Sequence, residues 1–535
     1  MPLPIYRSPR PRASRAARPT VPFPTTPWAL LPLSGVALGA SFPPSPLAPL
    51  AWVALVPVLL RWATVATAGR MLAEAYASLG LAGAIAFHWV LLHEMPRAAL
   101  ASLGGLMLYP FLLALPFAAS VPFRNRWGLG PGFGVLAAFS LAIEWGISHG
   151  PLAFPWMLIG HTQATLDPFR QLADLTGPSL LSGWVWALNG CALGALLAGS
   201  WLRRGAAVVM AALLVGGAAQ YGLQRMSTPT PVDDRTDALL VQPAIPPLQW
   251  ANTADRTRVD ALLRQTEAAL DTVSAPVALV VWPETALPAL PNAAAQRALY
   301  DQLQQWTASH DVALLSGAVE TDTVLSHGAR TYHNAALLIR ADTVQRYRKN
   351  YLVPFAEHVP FSEYLPALQA LGVPAGGVAG YTRSRLQPTL TAPDFQLGAL
   401  ICFESTFAHH LRSYVDPQST TRPVDFLVTV AQVGWWGPSP GYQQHLAFSQ
   451  LRAIAVRRAM AFVAETGRTA LIDPRGGLSA TAEWMDPTVR RASIPHATPL
   501  SPYVRFGDWL SMLALLMTSA VSAVGIYWYV RGINF

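Results

Sequence analysis

Three residues of different type, Glu284, Lys349 and Cys402, carry most of the chemistry this 535-residue sequence offers. Cys402 stands in Gly398-Ala-Leu-Ile-Cys-Phe-Glu404, at the end of an apolar run and before a polar, helix-compatible stretch from Ser405 to Tyr414. A residue at such a strand-to-helix turn is exposed, and helix-end amides can stabilise a thiolate there. Taken alone, a cysteine is more often a small core hydrophobe, so its company decides. Glu284 lies in Val280-Val-Trp-Pro-Glu-Thr-Ala-Leu-Pro288, where a strand runs into Trp-Pro and delivers a carboxylate. Site residues gather at such strand ends in α/β folds. A thiol with a pKa of about 8.5 needs a base or a cationic neighbour to react fast. Glu284 would be that base, best suited if burial raises its pKa. Lys349 is the only lysine among 37 basic residues, and arginine serves everywhere a plain surface cation suffices. The one compact ammonium kept in the chain invites a chemical role. Fixed beside an acyl carbonyl, it would stabilise the oxyanion formed on attack. Eight residues on, Glu357 sits between Phe355 and Val359. A carboxylate among apolar neighbours is costly unless bonded, and this one could keep the lysine charged and in position.

These groups need a scaffold, and the chain divides by texture. Between 224 and 506, short apolar, β-branched runs recur at 238–241, 277–282, 312–319, 335–340, 397–402, 425–430 and 461–465. Val259, Leu262, Leu263, Thr266, Leu270 and Val273 recur at helical spacing, as do Leu299, Leu303 and Trp306. Such a mixture predicts one α/β domain with a buried sheet. Outside it, apolar segments run near 28–43, 46–62, 71–92, 98–121, 131–148, 178–200, 206–223 and 508–530. Several approach the ~20 residues that a spanning helix needs. Phe42-Pro43-Pro44 interrupts the first two. The expected organisation is a basic arm over 1–27, a membrane domain of seven transmembrane helices over 28–223, the α/β domain, and a last transmembrane helix over 507–535. No small-residue cleavage site follows the first apolar stretch, so no cleavable signal peptide is expected.

Composition agrees. Residues are 52% hydrophobic and 12% charged, with mean hydropathy +0.32. Soluble domains carry roughly 25% charged residues, so half that argues for a membrane. Twelve arginines fall on one side of the predicted spans, Arg61, Arg70, Arg124 and Arg126 among them, and Arg97 and Arg170 on the other. Basic loops stay cytoplasmic, which puts 224–506 outside the cytoplasm. A lone thiol there is a liability without a use, and Cys191, midway along a predicted span, is an implausible disulfide partner for Cys402. No run mixes basic and aromatic residues like a nucleic-acid face, and no nucleic-acid partner is expected. Gly146-Ile-Ser-His-Gly150 has nucleophile-elbow spacing, but it ends a predicted helix where that motif needs a preceding strand. His409, His410 and His445 lack a metal-ligand spacing, so neither metal nor cofactor is expected.

In the order Glu, Lys, Cys, each with its own strand-end context, the three residues resemble the triad of the nitrilase superfamily, whose domain is an α-β-β-α sandwich. Trp282-Pro-Glu284, Arg348-Lys-x-x-Leu-Val-Pro-Phe-x-Glu-x-Val-Pro-Phe361 and Cys402-Phe-Glu404 are similar to one branch of it, the apolipoprotein N-acyltransferases. The likeness extends to Phe42-Pro43-Pro44, Glu144-Trp145, Phe154-Pro155-Trp156 and residues 242–250. It implies a multi-span α-helical membrane domain plus an α/β nitrilase-like α-β-β-α sandwich domain. It also implies Glu284 as base, Lys349 as oxyanion partner and Cys402 as nucleophile. Glu357, Glu404, Phe403, Trp250 and Trp435 would support the site or bind substrate. Gln432-Val433 stand where the family usually has Asn-Asp, Ala244 where Asn is common, and Thr466 departs from an Asn-Asn-Gly pattern. These departures bear on substrate contacts more than on the triad.

The activity so implied is a two-step acyl transfer in a bacterial inner membrane, with the catalytic domain facing the periplasm. A glycerophospholipid would acylate Cys402, and a diacylglyceryl lipoprotein would accept the chain on its N-terminal amine. A monomer working on membrane lipid is expected. Trp250, Trp435 and Trp436 could line a lid, though such tryptophans are as often plain core. Two alternatives stand beside this reading: a membrane-tethered amidase with the same triad, and a non-enzymatic transporter or scaffold.

Overall fold

The helix Pro27–Gly39 stops before Phe42-Pro43-Pro44, where two successive residues lack the N–H that would extend it, and a second apolar helical stretch runs over Ala48–Thr64. Both are shorter than the other apolar helices. Among the described residues, six helices are long and apolar enough to cross a membrane: Ala68–Leu92, Pro96–Trp127, Leu129–Gly146, Pro178–Leu197, Trp201–Ser227 and Trp509–Val530. In this computed structural model the described residues are 26–229, 231–252, 255–289, 293–323, 330–362, 364–365, 367, 380–420, 422–497 and 499–531. The basic arm thus lies almost wholly outside them. Arginines gather at one end of the helical bundle: Arg124 donates to the carbonyl of Val65 (2.6 Å), Arg61 to Glu74 (2.8 Å), and Arg126 lies over the Trp528 ring (4.6 Å).

Beyond the bundle the chain forms two sheets. β1 (Val232–Gln242), β2 (Leu279–Val281), β3 (Ala313–Thr323), β4 (Arg330–Ile339) and β5 (Val344–Arg348) belong to the first. β6 (Leu390–Thr391), β7 (Gln396–Ile401), β8 (Phe426–Ala431), β9 (Met460–Ala464), β10 (Ala470–Ile472) and β11 (Leu478–Ser479) form the second. β12 (Thr488–Ala497) returns to the first, giving orders β12-β1-β2-β3-β4-β5 and β11-β10-β9-β8-β7-β6. The central strands β1, β2 and β3 are parallel, as are β7, β8 and β9.

Successive side chains of a strand point to opposite faces, and here both faces are covered. Ala238, Leu240, Val281 and Leu338 meet Leu397, Ala399, Val428 and Val463 between the sheets. Leu239, Val241, Val280 and Leu337 instead pack against the helices Asp255–Leu270 and Ala293–His310. Leu400, Leu427 and Phe462 face the helix Pro440–Val456 on the far side. The result is an α-β-β-α sandwich. Each fully buried Leu, Ile or Val contributes about 1.5–3 kcal/mol, and a one-residue slip would exchange the two faces. The apolar core of the outer helix layer runs without a break into the helical bundle.

Polar side chains clamp that junction. Gln444 accepts from the indoles of Trp89 (3.0 Å) and Trp156 (3.1 Å) and donates to the carbonyls of Pro43 (2.8 Å) and Ala86 (2.9 Å). Arg457 donates to Asp174 (2.6 Å), which also receives Arg225. Both clamps join the sandwich to the bundle at the end away from Arg61, Arg124 and Arg126.

Candidate active site

The ends of β2, β5, β7, β8 and β9 converge at the clamped side of the sandwich. β2 runs through Trp282-Pro283 to Glu284, which is buried. One Glu284 oxygen accepts from Asn334 Nδ2 (2.7 Å) and Lys349 Nζ (3.3 Å), and the other from the Gln432 N–H (2.8 Å). Lys349, just past β5, also donates to Glu357 (2.8 Å), whose second oxygen takes the Val353 N–H (2.8 Å). Asn334 reaches Glu357 as well (3.2 Å). One ammonium is thus shared by two buried carboxylates. Burial alone would lower the Lys349 pKa, but Glu357 and Glu284 outweigh it and hold the ammonium above its ordinary range.

Cys402 directly follows β7 and opens a single 3-10 turn, Cys402–Thr406. Its φ of 49° is left-handed, a conformation rare for a residue with a side chain and frequent at functional sites. The sulfur faces the Gln432 carbonyl at 3.9 Å. Gln432 therefore touches both partners, its N–H on the base and its C=O on the sulfur. Burial pushes the thiol well above its ordinary pKa; Glu284 adds to this, and Lys349 opposes it. The resting group is a thiol, not the ready thiolate that a strand-to-helix turn predicts. Burial and two carboxylates outweigh one short turn and one shared ammonium.

Glu404 does something other than line the site. Its oxygens accept from Tyr347 Oη (2.6 Å) and the N–H groups of Asn350 (2.6 Å), Tyr351 (3.0 Å) and Ile401 (2.9 Å). It staples the segment carrying Lys349 to the strand carrying Cys402. Glu404→Gln turns an amide NH2 towards one of these donors, an expected loss of about 1–3 kcal/mol. Burial pushes the Glu404 carboxyl from 4.5 up to about 7. The folded protein therefore keeps this proton where the unfolded chain has lost it. The group favours folding most at low pH and progressively less as pH rises to about 7. The drop in apparent unfolding temperature caused by Glu404→Gln is expected to be larger near pH ~5 than near ~8; thermal scans in detergent check it.

Glu284, Lys349, Glu357 and Cys402 line a cavity of about 1380 Å³, and its wall includes the bundle helix Pro96–Trp127 from Arg97 to Tyr109. Trp250 lines it too, with its indole N–H on Thr285 Oγ1 (3.1 Å) and Arg258 over its ring (4.8 Å). Trp435 stacks on His93 (5.5 Å), and Trp436 meets Trp89 edge-on (5.1 Å). Phe403 is nearly fully buried and lies against Phe154 (5.7 Å) and Trp156 (6.2 Å). These aromatics tie the sandwich to the bundle around the cavity. Ser148, in the Gly-x-Ser-x-Gly match, spends its hydroxyl on the Glu144 carbonyl (2.8 Å), after a helix.

Sequence reasoning missed Asn334, mid-strand in β4, and the role of His445, whose Nε2 contacts Ser405 Oγ (2.9 Å) and the Cys402 carbonyl (3.0 Å). It also missed Glu465 just past β9. The Glu465 carbonyl accepts from Ala244 N–H (2.9 Å), and its own N–H donates to Ala431 (3.0 Å). Burial pushes its carboxyl well above the usual range. Ala244, Gln432 and Thr466, scattered in sequence, thus meet around one buried acid.

Residues 240–498 match the carbon-nitrogen hydrolase family model, and residues 34–191 match the apolipoprotein N-acyltransferase N-terminal domain. The apolipoprotein N-acyltransferase of Chlorobaculum tepidum is 29% identical over 527 residues, covering 93% of this chain and 96% of its own. That of Geobacter metallireducens is 28% identical over 517 residues, covering 92% and 94%. Among solved structures, an amidase from a Nesterenkonia species aligns with TM-score 0.36 and 16% identity, covering 51% of this chain and 95% of that one. The sandwich is a carbon-nitrogen hydrolase domain joined to a helical bundle. With both regions matched, the chain groups with the apolipoprotein N-acyltransferases and is an acyltransferase.

Proposed function

We propose that the chain moves an acyl group from a glycerophospholipid to the N-terminal amine of a diacylglyceryl-cysteine lipoprotein, through a thioester on Cys402. The observation that carries this is one cavity lined both by Cys402 with the buried Glu284 and Lys349 and by an apolar membrane helix. Cys402 Sγ attacks the ester carbonyl while Glu284 takes the thiol proton. The tetrahedral oxyanion is stabilised by the Lys349 ammonium. The C–O bond then breaks, and Glu284 returns the proton to the departing lysophospholipid oxygen. In the second step the lipoprotein amine attacks the thioester, its proton passes to Glu284, and the C–S bond breaks to regenerate the thiol. A high thiol pKa suits this order, since the proton leaves only as the S–C bond forms.

Orientation follows from charge. The arginine-rich end of the bundle lies away from the cavity, and basic loops remain cytoplasmic, so the sandwich faces the periplasm from the inner membrane. Residues 28–223 would cross seven times and 507–535 once, with 224–506 as the catalytic domain. Glu284, Lys349, Glu357 and Cys402 all come from one chain and line one cavity, which is compatible with action as a monomer.

The test is an acyl-enzyme chase. Purified protein incubated with phospholipid alone is expected to gain one acyl mass on the Cys402 peptide, and a diacylated lipopeptide is expected to discharge it into triacylated product. An adduct that water alone resolves would make the protein an amidase-like hydrolase instead.

A further inference from the structure

The two arginines in the short loops on the cation-poor side of the membrane have different fates. Arg170 is spent on Asp167, with its Nε and Nη2 each at 2.7 Å from a carboxylate oxygen. Arg97 is exposed, lines the catalytic cavity, and has no hydrogen-bonding or ion-pair partner among the described residues. Loops on that side avoid cations, so an unpaired one kept at the cavity mouth calls for a ligand. The other cavity cations are engaged. Lys349 is held by Glu357 and Glu284, while Arg258 covers the Trp250 ring and donates to its carbonyl (2.9 Å).

Contacts tie Arg97 to the reacting groups. It sits in the first turn of the helix Pro96–Trp127, next to the loop whose Glu94 N–H donates to the Trp435 carbonyl (3.1 Å). Three residues before Trp435, Gln432 holds Glu284. From Arg97 to Tyr109 the same helix walls the cavity, and a helix rises about 18 Å over that stretch. Small and apolar residues, Ala98, Ala101, Gly105 and Leu108 among them, form that wall. An acyl chain laid against it would leave an anionic head at Arg97, where a guanidinium can grip a phosphate with two parallel hydrogen bonds.

We propose that Arg97 binds the phosphodiester of the acyl donor, so that the cavity selects phospholipid over phosphate-free esters. This rests on the acyl-transfer reading above. A diacylglyceryl acceptor carries no such phosphate, so Arg97 acts in the first half-reaction. The test compares Cys402 acylation in the full-length enzyme by dioleoyl phosphatidylglycerol and by diolein. Arg97→Ala is expected to lower the ratio of the two rates about tenfold, the scale of a lost charge-assisted contact, and Arg97→Lys to keep most of it. Equal slowing with both donors, or an unchanged ratio, overturns the assignment of Arg97 alone. A wild-type enzyme that forms no adduct with either donor overturns the acyl-transfer reading and this assignment with it.

Discussion

Cys402→Ala abolishes acyl-enzyme formation and triacylated product, and Cys402→Ser leaves at most about a thousandth of the wild-type rate. The serine hydroxyl would occupy the same left-handed position beside the Gln432 carbonyl. It is a far weaker acid than a thiol, and Glu284 already faces a thiol whose pKa burial has raised. A serine oxygen would put the proton beyond that carboxylate's reach at neutral pH. Neither substitution should unfold the protein. The thiol's one polar contact is a long 3.9 Å approach to a carbonyl, so the apparent unfolding temperature is expected to stay within a few degrees. Release of triacylated lipopeptide, followed by mass spectrometry beside a thermal scan, separates chemistry from folding. Full complementing activity from Cys402→Ala would mean that the chain works as a scaffold or transporter.

How far the sequence led depends on what each residue must do locally. Glu284, Lys349 and Cys402 were legible because each is chemically out of place where a strand ends, and Lys349 is the only lysine. The central strands were legible for the opposite reason: covered on both faces, they read as unbroken apolar runs. The edge strands β5 and β12 were not. Val344–Arg348 and Thr488–Ala497 carry arginines outward, and Pro495 lies within β12, tolerable only where no neighbour needs its missing N–H. Asn334 gave no local sign, because its value lies in spanning carboxylates 50 and 23 residues away. Glu404 was legible as a site acid, but its four donors come from backbone and from Tyr347, so it fixes the segments that present the reacting groups. The first two apolar segments look like the others until the double proline is counted. It leaves helices of 13 residues in Pro27–Gly39 and 17 in Ala48–Thr64.

Lys349→Met should do two kinds of damage, and a second substitution tells them apart. Without the ammonium, Glu284 and Glu357 keep Asn334 between them but lose their shared counter-charge inside a buried site. Breaking a buried pair by removing one member typically costs about 3–5 kcal/mol, because the surviving charge is uncompensated. Loss of the oxyanion partner is expected to slow Cys402 acylation about 100- to 1000-fold besides. Glu357→Gln added to Lys349→Met removes the surplus carboxylate while leaving Glu284 in place. The double variant is therefore expected to regain most of the lost thermal stability and none of the rate. If stability and acylation return together, Lys349 holds the site in shape and stabilises no oxyanion. If only stability returns, the ammonium acts on the reacting carbonyl, and its two carboxylates serve to keep a charge in a place that burial alone would neutralise.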